Sequence, residues 1–575
     1  MADAINIAAV REAKLPAGFV SKPGGIFYSD EENSPVWICS PVRFLAQTRD
    51  DRGSAWGLLL SWQDQDGREH RWAMQKAMLA GDGSEIRANL LDRGMRLGTS
   101  HKARTKLLDL LATVAIKGRA MAVDRVGWAE GAFVLPEISY GDRPQNRVIY
   151  QGPAQFDHPY RATGTLADWQ HLVARYGAGN SRIAVALASA FVGPLLDLLG
   201  EDGGGINFRG PSSIGKSTAL FAAASVWGAP SFVRQWRSTA NGLEGVAVQH
   251  SETLLCLDEL AQLDPKEAGS VAYMLANGVG KARAGRSGAL RAPTRWRAFF
   301  LSSGEISLAD LAGRDGRGAR RSAAGQEIRI LDIEADAGAG LGLFNTLHDA
   351  LNGGALSQRI REGAATVYGV AGPCFVEMIA ADRENYARHL KATVKAFTEQ
   401  NVPVDANGQV ARACRRLAVI AAAGELARHL DILPWKKGEA WQAAAVVFQA
   451  WLAGRGGVGA AEDTEAVSRV RAFLELHGAS RFEPMDRGEA PEQRTISRAG
   501  FWRTNEAGLR EHFILPEVWR NEVCAGSDAT RIARVLAAKD MLRAAGDKYS
   551  ISQRCPGIGK TRVYAVLPSI FGEEE

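Results

Sequence analysis

The sequence predicts an α/β core in which parallel strands alternate with helices, and three stretches carry that prediction. Gly210–Thr218 reads GPSSIGKST directly after the apolar run Ile206–Phe208, and Thr253–Leu260 reads TLLCLDEL, an apolar strand that ends in two adjacent carboxylates. Between them lie an Ala-rich helix over Lys216–Trp227, a short strand over Ser231–Trp236 and a helical stretch over Asn241–His250. Strand, loop, helix, strand, helix, strand is the order of a doubly wound parallel sheet. Such a sheet takes its ligand beyond the carboxyl ends of the strands.

The first stretch fits G-x-x-x-x-G-K-[ST], the spacing of a phosphate-binding loop. Glycines let the backbone pass close to phosphate, the loop amides point inward, and the helix that follows offers its positive N-terminal dipole. Gly210, Pro211, Ser212, Ser213, Ile214, Gly215, Lys216, Ser217 and Thr218 are therefore the expected nucleotide contacts. Lys216 reaches the β- and γ-phosphates, and Ser217 ligates Mg²⁺. In the second stretch Asp258 shares the Mg²⁺ and Glu259 polarises the attacking water, so ATP and Mg²⁺ are the expected substrate and cofactor. The bland alternative is a strand running into an acidic helix cap. A second near-match, GIGKT at Gly557–Thr561, has Arg554 where the first glycine belongs and is read as a basic loop.

Composition bounds the class. A chain of 575 residues with 46% hydrophobic content supports several folded domains. With 69 basic and 64 acidic residues the formal charge is +5, so attraction to nucleic acid must come from local clusters. Six scattered cysteines without a C-x-x-C pair argue against a zinc site and a disulfide scaffold, and fit a cytoplasmic setting. The most apolar segment, Ile183–Leu199, carries Asp197 and is too short and mixed for a membrane span.

Four parts are expected. Residues 1–160 alternate in short runs and read as an α+β accessory domain. Asp64 and Asp66 there could suggest a metal pair, but Gly67 and the apolar run after it fit a hairpin turn better. Residues 161–337 hold the ATPase core, 338–460 a helical lid, and 461–575 a winged-helix-like domain with helices over Glu462–His477 and Ala529–Ala545. Its basic loop QRCPGIGKTR, residues 553–562, has the place of a wing, and Arg554, Lys560 and Arg562 are candidate DNA contacts. Many such domains bind only protein, and both readings stand. Arg412, Arg415 and Arg416 open a helix in the lid region, as a solvated basic face or a second-sensor arginine.

Two features specify the kind of machine. Trp296–Ser303, WRAFFLSS, is another buried strand ending in hydroxyls, in the place of the sensor strand of AAA+-type ATPases, with Ser303 as γ-phosphate sensor. GQEIRILD, residues 325–332, is similar to the strand that presents an arginine to a neighbouring subunit's nucleotide. Arg329 is the favoured candidate, with Arg320 and Arg321 as rivals. Between the acidic and sensor strands, a helix over Lys266–Ala276 leads into NGVGKARAGRSGALRAPTRW, which has Lys281, Arg283, Arg286, Arg291 and Arg295 and no acid. That composition suits a hairpin gripping a DNA backbone without sequence preference; a solvated loop or an intersubunit contact is the alternative.

The runs GPSSIGKST, NGLEGVAV, LLCLDEL, YMLANGVGKARA, FFLSSGEISLADL, AGQEIRILDIEAD and AAAGELA, within residues 180–455, resemble a P-loop ATPase family of prophages and integrated mobile elements catalogued as a domain of unknown function and labelled helicase-like. The resemblance implies an AAA+-like or superfamily III-like ATPase that assembles as a homo-oligomer, a hexameric ring, and replicates a mobile element. The usual sensor Asn is Ser303 here. The expected function is thus an ATP-hydrolysing, ring-forming DNA helicase or translocase acting on single-stranded or forked DNA, with no membrane partner. The alternative is an ATP-dependent switch or assembly factor that binds nucleic acid without unwinding it.

Overall fold

The computed structural model describes residues 13–30, 34–141, 147–152, 158–281, 283–284, 290–291, 293–313, 329–455, 461–486, 495, 497–525, 527–545 and 548–572. They form two compact units. The first comprises Met1–Leu308, Arg329–Asn401 and Arg415–Phe448, the second Ala309–Ile328, Val402–Cys414 and Gln449–Glu575.

The first unit contains two five-stranded sheets. The N-terminal one is mixed, in the order Val148–Tyr150, Arg119–Val123, Val42–Arg49, Gly57–Gln63, Glu69–Gln75. Its last two strands are an antiparallel hairpin. In the turn, the Asp64 carboxylate accepts the amides of Asp66 and Arg68, both at 2.9 Å, and Gly67 takes φ 79°. His70 Nε2 lies 2.8 Å from the other Asp64 oxygen. Asp64 is thus a turn-former, and no group of three or more potential metal ligands occurs among the described residues.

The second sheet is wholly parallel. Its strands are β1 (Gly204–Arg209), β2 (Val233–Gln235), β3 (Leu254–Asp258), β4 (Phe299–Gly304) and β5 (Ile330–Glu334), in the spatial order β2-β3-β4-β1-β5. Near-continuous apolar runs make these strands, because a parallel sheet is covered on both faces. Leu254, Leu255, Leu257, Phe300, Leu301, Leu331 and Ile333 are fully buried, each leucine contributing roughly 2 kcal/mol over exposure. The register pairs Arg209 with both Gly304 and Glu334, and Gln235 with Asp258, so all five strands end along one edge.

Helix α1 (Lys216–Ala224) follows β1, and α2 (Ala240–Gln249) and α3 (Pro265–Asn277) follow β2 and β3. The apolar segment 183–199 falls in two helical stretches, Ser181–Ser189 and Gly193–Leu199, meeting at 55°. Pro194 at the second start lacks the amide that would continue the ladder. This bent pair is apolar enough to span by composition alone, yet it is buried apart from the half-buried Ser181 and the exposed Asp197, and no single described helix is long and apolar enough to cross a membrane.

After β5 the chain doubles back over the loop between β1 and α1. The Ala335 amide bonds Arg209 O at 2.8 Å and the Leu343 amide bonds Ile214 O at 2.9 Å. Helix α4 (Gly353–Thr366) follows, and Arg361 of α4 lies over the Phe221 ring of α1. Further helices, including Ala371–Ala381, Arg383–Asn401, Gly408–His429 and Glu439–Gly454, make the region expected to be helical.

The second unit holds a mixed sheet in the order Phe482–Pro484, Gly500–Thr504, Arg510–Ile514, β7 (Gly559–Val566), Leu542–Arg543, with β6 (Ile551–Cys555) also paired to β7. Helices Ala461–His477 and α5 (Ala529–Ala538) enclose a core of Val470, Trp519, Ile532, Leu536 and Val566. The helix expected to reach Ala545 stops at Ala538, and Leu542–Arg543 joins the sheet instead. Residues 553–562 are likewise no loop. Gln553–Cys555 and Gly559–Arg562 are ladder positions closed by a turn at 556–558.

Candidate functional site

The loop 210–215 connects the carboxyl end of β1 to α1. A Cβ at Gly210, whose φ is 155°, would come within 2.6 Å of Ile214 Cδ1, and Gly215 takes φ 103° with Leu343 3.2 Å from its absent Cβ. Both conformations favour glycine. Gly215 caps α1 with no side-chain acceptor; its carbonyl takes the Thr218 amide at 3.0 Å, and no side chain caps the amides of the first turn. Pro211, Ser212 and Ser213 are exposed, Ile214 to Ser217 half-buried, and Thr218 turns inward as a buried residue. The Lys216 ammonium donates to Gly210 O at 2.7 Å and Pro211 O at 2.5 Å. Burial lowers its pKa, opposed by the carboxylates of Glu305, Asp258, Glu259 and Glu334.

The acidic pair stands one strand beyond β4. Ser217 Oγ donates to Asp258 Oδ1 at 3.3 Å, and the Ser303 hydroxyl donates to the same oxygen. Asp258 is buried and Glu259, next in the chain, is exposed. Glu259 takes φ 65°, a strained value for a residue with a side chain. The sheet order brings these groups together, because β4 lies between β1 and β3 and sets Ser303 between the loop and the acids. A hydroxyl, a carboxylate and an ammonium at a glycine-lined helix start suit a triphosphate and one hard divalent cation. Ser217 and Asp258 are the residues that would hold the cation.

Sequence reasoning overlooked Glu334, Glu305 and Arg209. Glu334 ends β5 and pairs with Arg209 at 3.0 Å beside the loop. The signal was present in ILDIE, an apolar strand ending in an acid just as LLCLDE does.

Arg329 lies at the opposite edge of the sheet. Its carbonyl accepts the Gly205 amide at the amino end of β1, and its guanidinium stands 4.6 Å over the Tyr273 ring. Arg320 and Arg321 lie outside the described residues. Arg416 presses on Gly204 and Arg415 binds Glu201, so both sit at the amino edge and away from the loop 210–215. A second-sensor role toward this chain's own loop is therefore not available to them.

The basic segment also springs from the amino edge. Gly278 and Trp296 close its root through the Trp296 amide, 2.9 Å from Gly278 O, while the Gly204 amide bonds Ala298 O at 3.1 Å. The backbone pairs Arg283 with Arg291 and Ala284 with Leu290, an antiparallel hairpin as the composition suggested. Lys281 and Arg295 are exposed. Arg286 and the side chains of Arg283 and Arg291 lie outside the described residues.

In the second unit, the ladder sets Arg554 opposite Lys560 and Ser552 opposite Arg562. The three cations share one exposed face of the ribbon, while Cys555, Val563 and Ala565 on the other face are buried. Among the described residues none of the three cations has an ion pair or hydrogen bond.

A family model described as a domain of unknown function, DUF927, matches residues 22–295. The match therefore takes in the N-terminal sheet with the loop and the acidic strand, whereas the motifs read from the sequence began near residue 180. No curated protein matches the sequence. Among solved structures, one described as "SCCmec type IV Cch - active helicase" is 17% identical, with a TM-score of 0.68 over 97% of this chain and 99% of that one. The chain is thus similar in fold to that protein along nearly its whole length.

Proposed function

We propose that the chain is an ATP-hydrolysing, ring-forming motor that translocates on DNA and unwinds it, as the replicative helicase of a prophage or other mobile element in the cytoplasm. The observation that carries the reading is the convergence of the start of α1, which no side chain caps, with Lys216, Ser217, Asp258 and Glu259 at the carboxyl edge of one parallel sheet. The likeness in fold to a protein described as an active helicase supports it.

The loop amides and Lys216 bind the β- and γ-phosphates and balance their charge. Glu259 accepts the proton of the attacking water as its oxygen bonds the γ-phosphorus and the bond to the β-bridging oxygen breaks, leaving ADP and phosphate. Ser217 and Asp258 would hold a Mg²⁺, which would supply further charge neutralisation on the phosphates.

Arg329 faces away from its own loop, so as a transition-state contact it serves a neighbouring copy's nucleotide, which requires a ring; a hexamer is the assembly proposed. Lys281, Arg283, Arg286 and Arg291 grip the DNA backbone from the opposite sheet edge, and Arg554, Lys560 and Arg562 add phosphate contacts from a winged-helix-like domain spanning 461–575. Residues 1–160 are the accessory domain, 161–337 the P-loop core and 338–460 the helical lid.

A strand-displacement assay on forked DNA tests the whole. The expected result is ATP-dependent unwinding that Lys281→Ala with Arg283→Ala abolishes while DNA-independent hydrolysis persists. If the intact protein hydrolyses ATP, binds DNA and never displaces a strand, the motor reading fails and a nucleic-acid-binding switch takes its place.

A further inference from the structure

We infer that Ser303 acts as a positioning residue for the acidic pair and does not contact the terminal phosphate. This inference rests on the nucleotide site proposed above. The register of β3 and β4 pairs Leu257 with Ser302, which brings the next residues, Asp258 and Ser303, side by side at the sheet edge. The Ser303 hydroxyl is hydrogen-bonded to Asp258 Oδ1, and its oxygen lies 3.4 Å from the Glu259 amide nitrogen. An ionised carboxylate only accepts, so the single hydroxyl proton points at Asp258 and a lone pair of the oxygen receives the Glu259 N–H.

That proton count decides the role. A serine committed to Asp258 has no proton left for a phosphate oxygen, whereas an asparagine amide in this place carries two. Two groups gain from the arrangement. Asp258 has its carboxylate rotation fixed, with Oδ1 shared by Ser303 and Ser217 and Oδ2 without a hydrogen-bond partner among the described residues. Glu259 is held in a left-handed conformation at φ 65° that is strained for a residue with a side chain, and the Ser303 oxygen secures its amide. Ser303 is itself rigid. It is 2% exposed, and its neighbour Ser302 accepts the buried Trp236 indole N–H at 2.8 Å.

A residue that orients the cation's ligand acts before any phosphate is distinguished from another. Its loss should therefore weaken Mg·ATP and Mg·ADP alike and shift the Mg²⁺ requirement, while a γ-phosphate contact should separate ATP from ADP. The test measures binding of fluorescent ATP and ADP analogues, at varied Mg²⁺, to the full chain carrying Ser303→Ala, Ser303→Cys or Ser303→Thr. The expected result for Ser303→Ala is an about tenfold higher Mg²⁺ concentration for half-maximal binding and an equal loss of affinity for both nucleotides. Ser303→Thr, which keeps the hydroxyl, restores both. Should the alanine variant not fold, Ser303→Cys decides, with the same equal loss expected. The inference is overturned if ATP affinity falls tenfold or more while ADP affinity and Mg²⁺ dependence stay unchanged, or if neither changes. Wild-type protein that binds neither nucleotide removes the nucleotide reading as well, so the two failures are told apart by the unmutated chain.

Discussion

Replacing Arg554, Lys560 and Arg562 together by alanine should change how DNA binding responds to salt, by an amount that follows from the ribbon's geometry. The three cations lie on one face of β6 and β7, exposed and without an anionic partner among the described residues. Arg554 stands directly opposite Lys560, and like charges facing each other across a ladder destabilise it. The fold therefore gains nothing from these charges, and the triple variant should melt at the wild-type temperature or slightly above. Each duplex phosphate neutralised contributes about 0.9 to the slope of log affinity against log salt, so three contacts account for a slope smaller by about 2.7 in the variant. Fluorescence anisotropy with labelled duplex, titrated from about 50 to 200 mM salt, reads that slope directly. An unchanged slope and affinity would refute the reasoning and leave the ribbon as a protein-binding surface.

Three further outcomes are expected. Lys216→Ala removes the ammonium that the loop carbonyls hold, and it should abolish nucleotide binding measured by calorimetry while leaving the circular dichroism spectrum intact. Glu259→Gln keeps the shape of an exposed side chain and removes the proposed base, so hydrolysis should slow by about 10²–10⁴ with nucleotide affinity retained; an active variant would assign the base elsewhere. Arg297→Ala strands Glu252, which is 1% exposed and bonded to Arg297 Nη1 at 2.8 Å and to the Trp128 amide at 2.6 Å. Because Arg297 is itself 34% exposed, the loss should be about 2 kcal/mol, below that of a fully buried pair. Burial holds the Glu252 carboxyl above its ordinary value, so the folded state keeps that proton longer than the unfolded chain does. This site's contribution is accordingly greatest below the ordinary carboxylate range and is lost as pH rises through the raised value. Without Arg297 the rise is larger, so denaturant melts should show the variant's deficit widening from about pH 4 to pH 7.

What the sequence determined by itself was the chemistry of short segments. Glycines at 210 and 215, the Lys216–Ser217 pair and an apolar run ending in Asp258 and Glu259 are each legible because local backbone conformation and side-chain type dictate them. The turn at Asp64 was legible for the same reason. Element lengths were less so: Pro194 breaks an apolar run that composition alone reads as continuous, and residues 553–562 look like a loop because glycine and proline at the turn mask the short ladder that the segment forms with itself. Tertiary structure alone decided the sheet order. Which strand lies beside which depends on pairings far apart in the chain, and no local periodicity encodes them. That order inserts β4 between β1 and β3, and so turns Ser303 from an isolated hydroxyl at a strand end into the partner of Asp258 and Glu259. It also sends Arg329 and the root of the basic hairpin to the amino edge, opposite the loop 210–215, because parallel strands keep all their beginnings on one side and all their ends on the other.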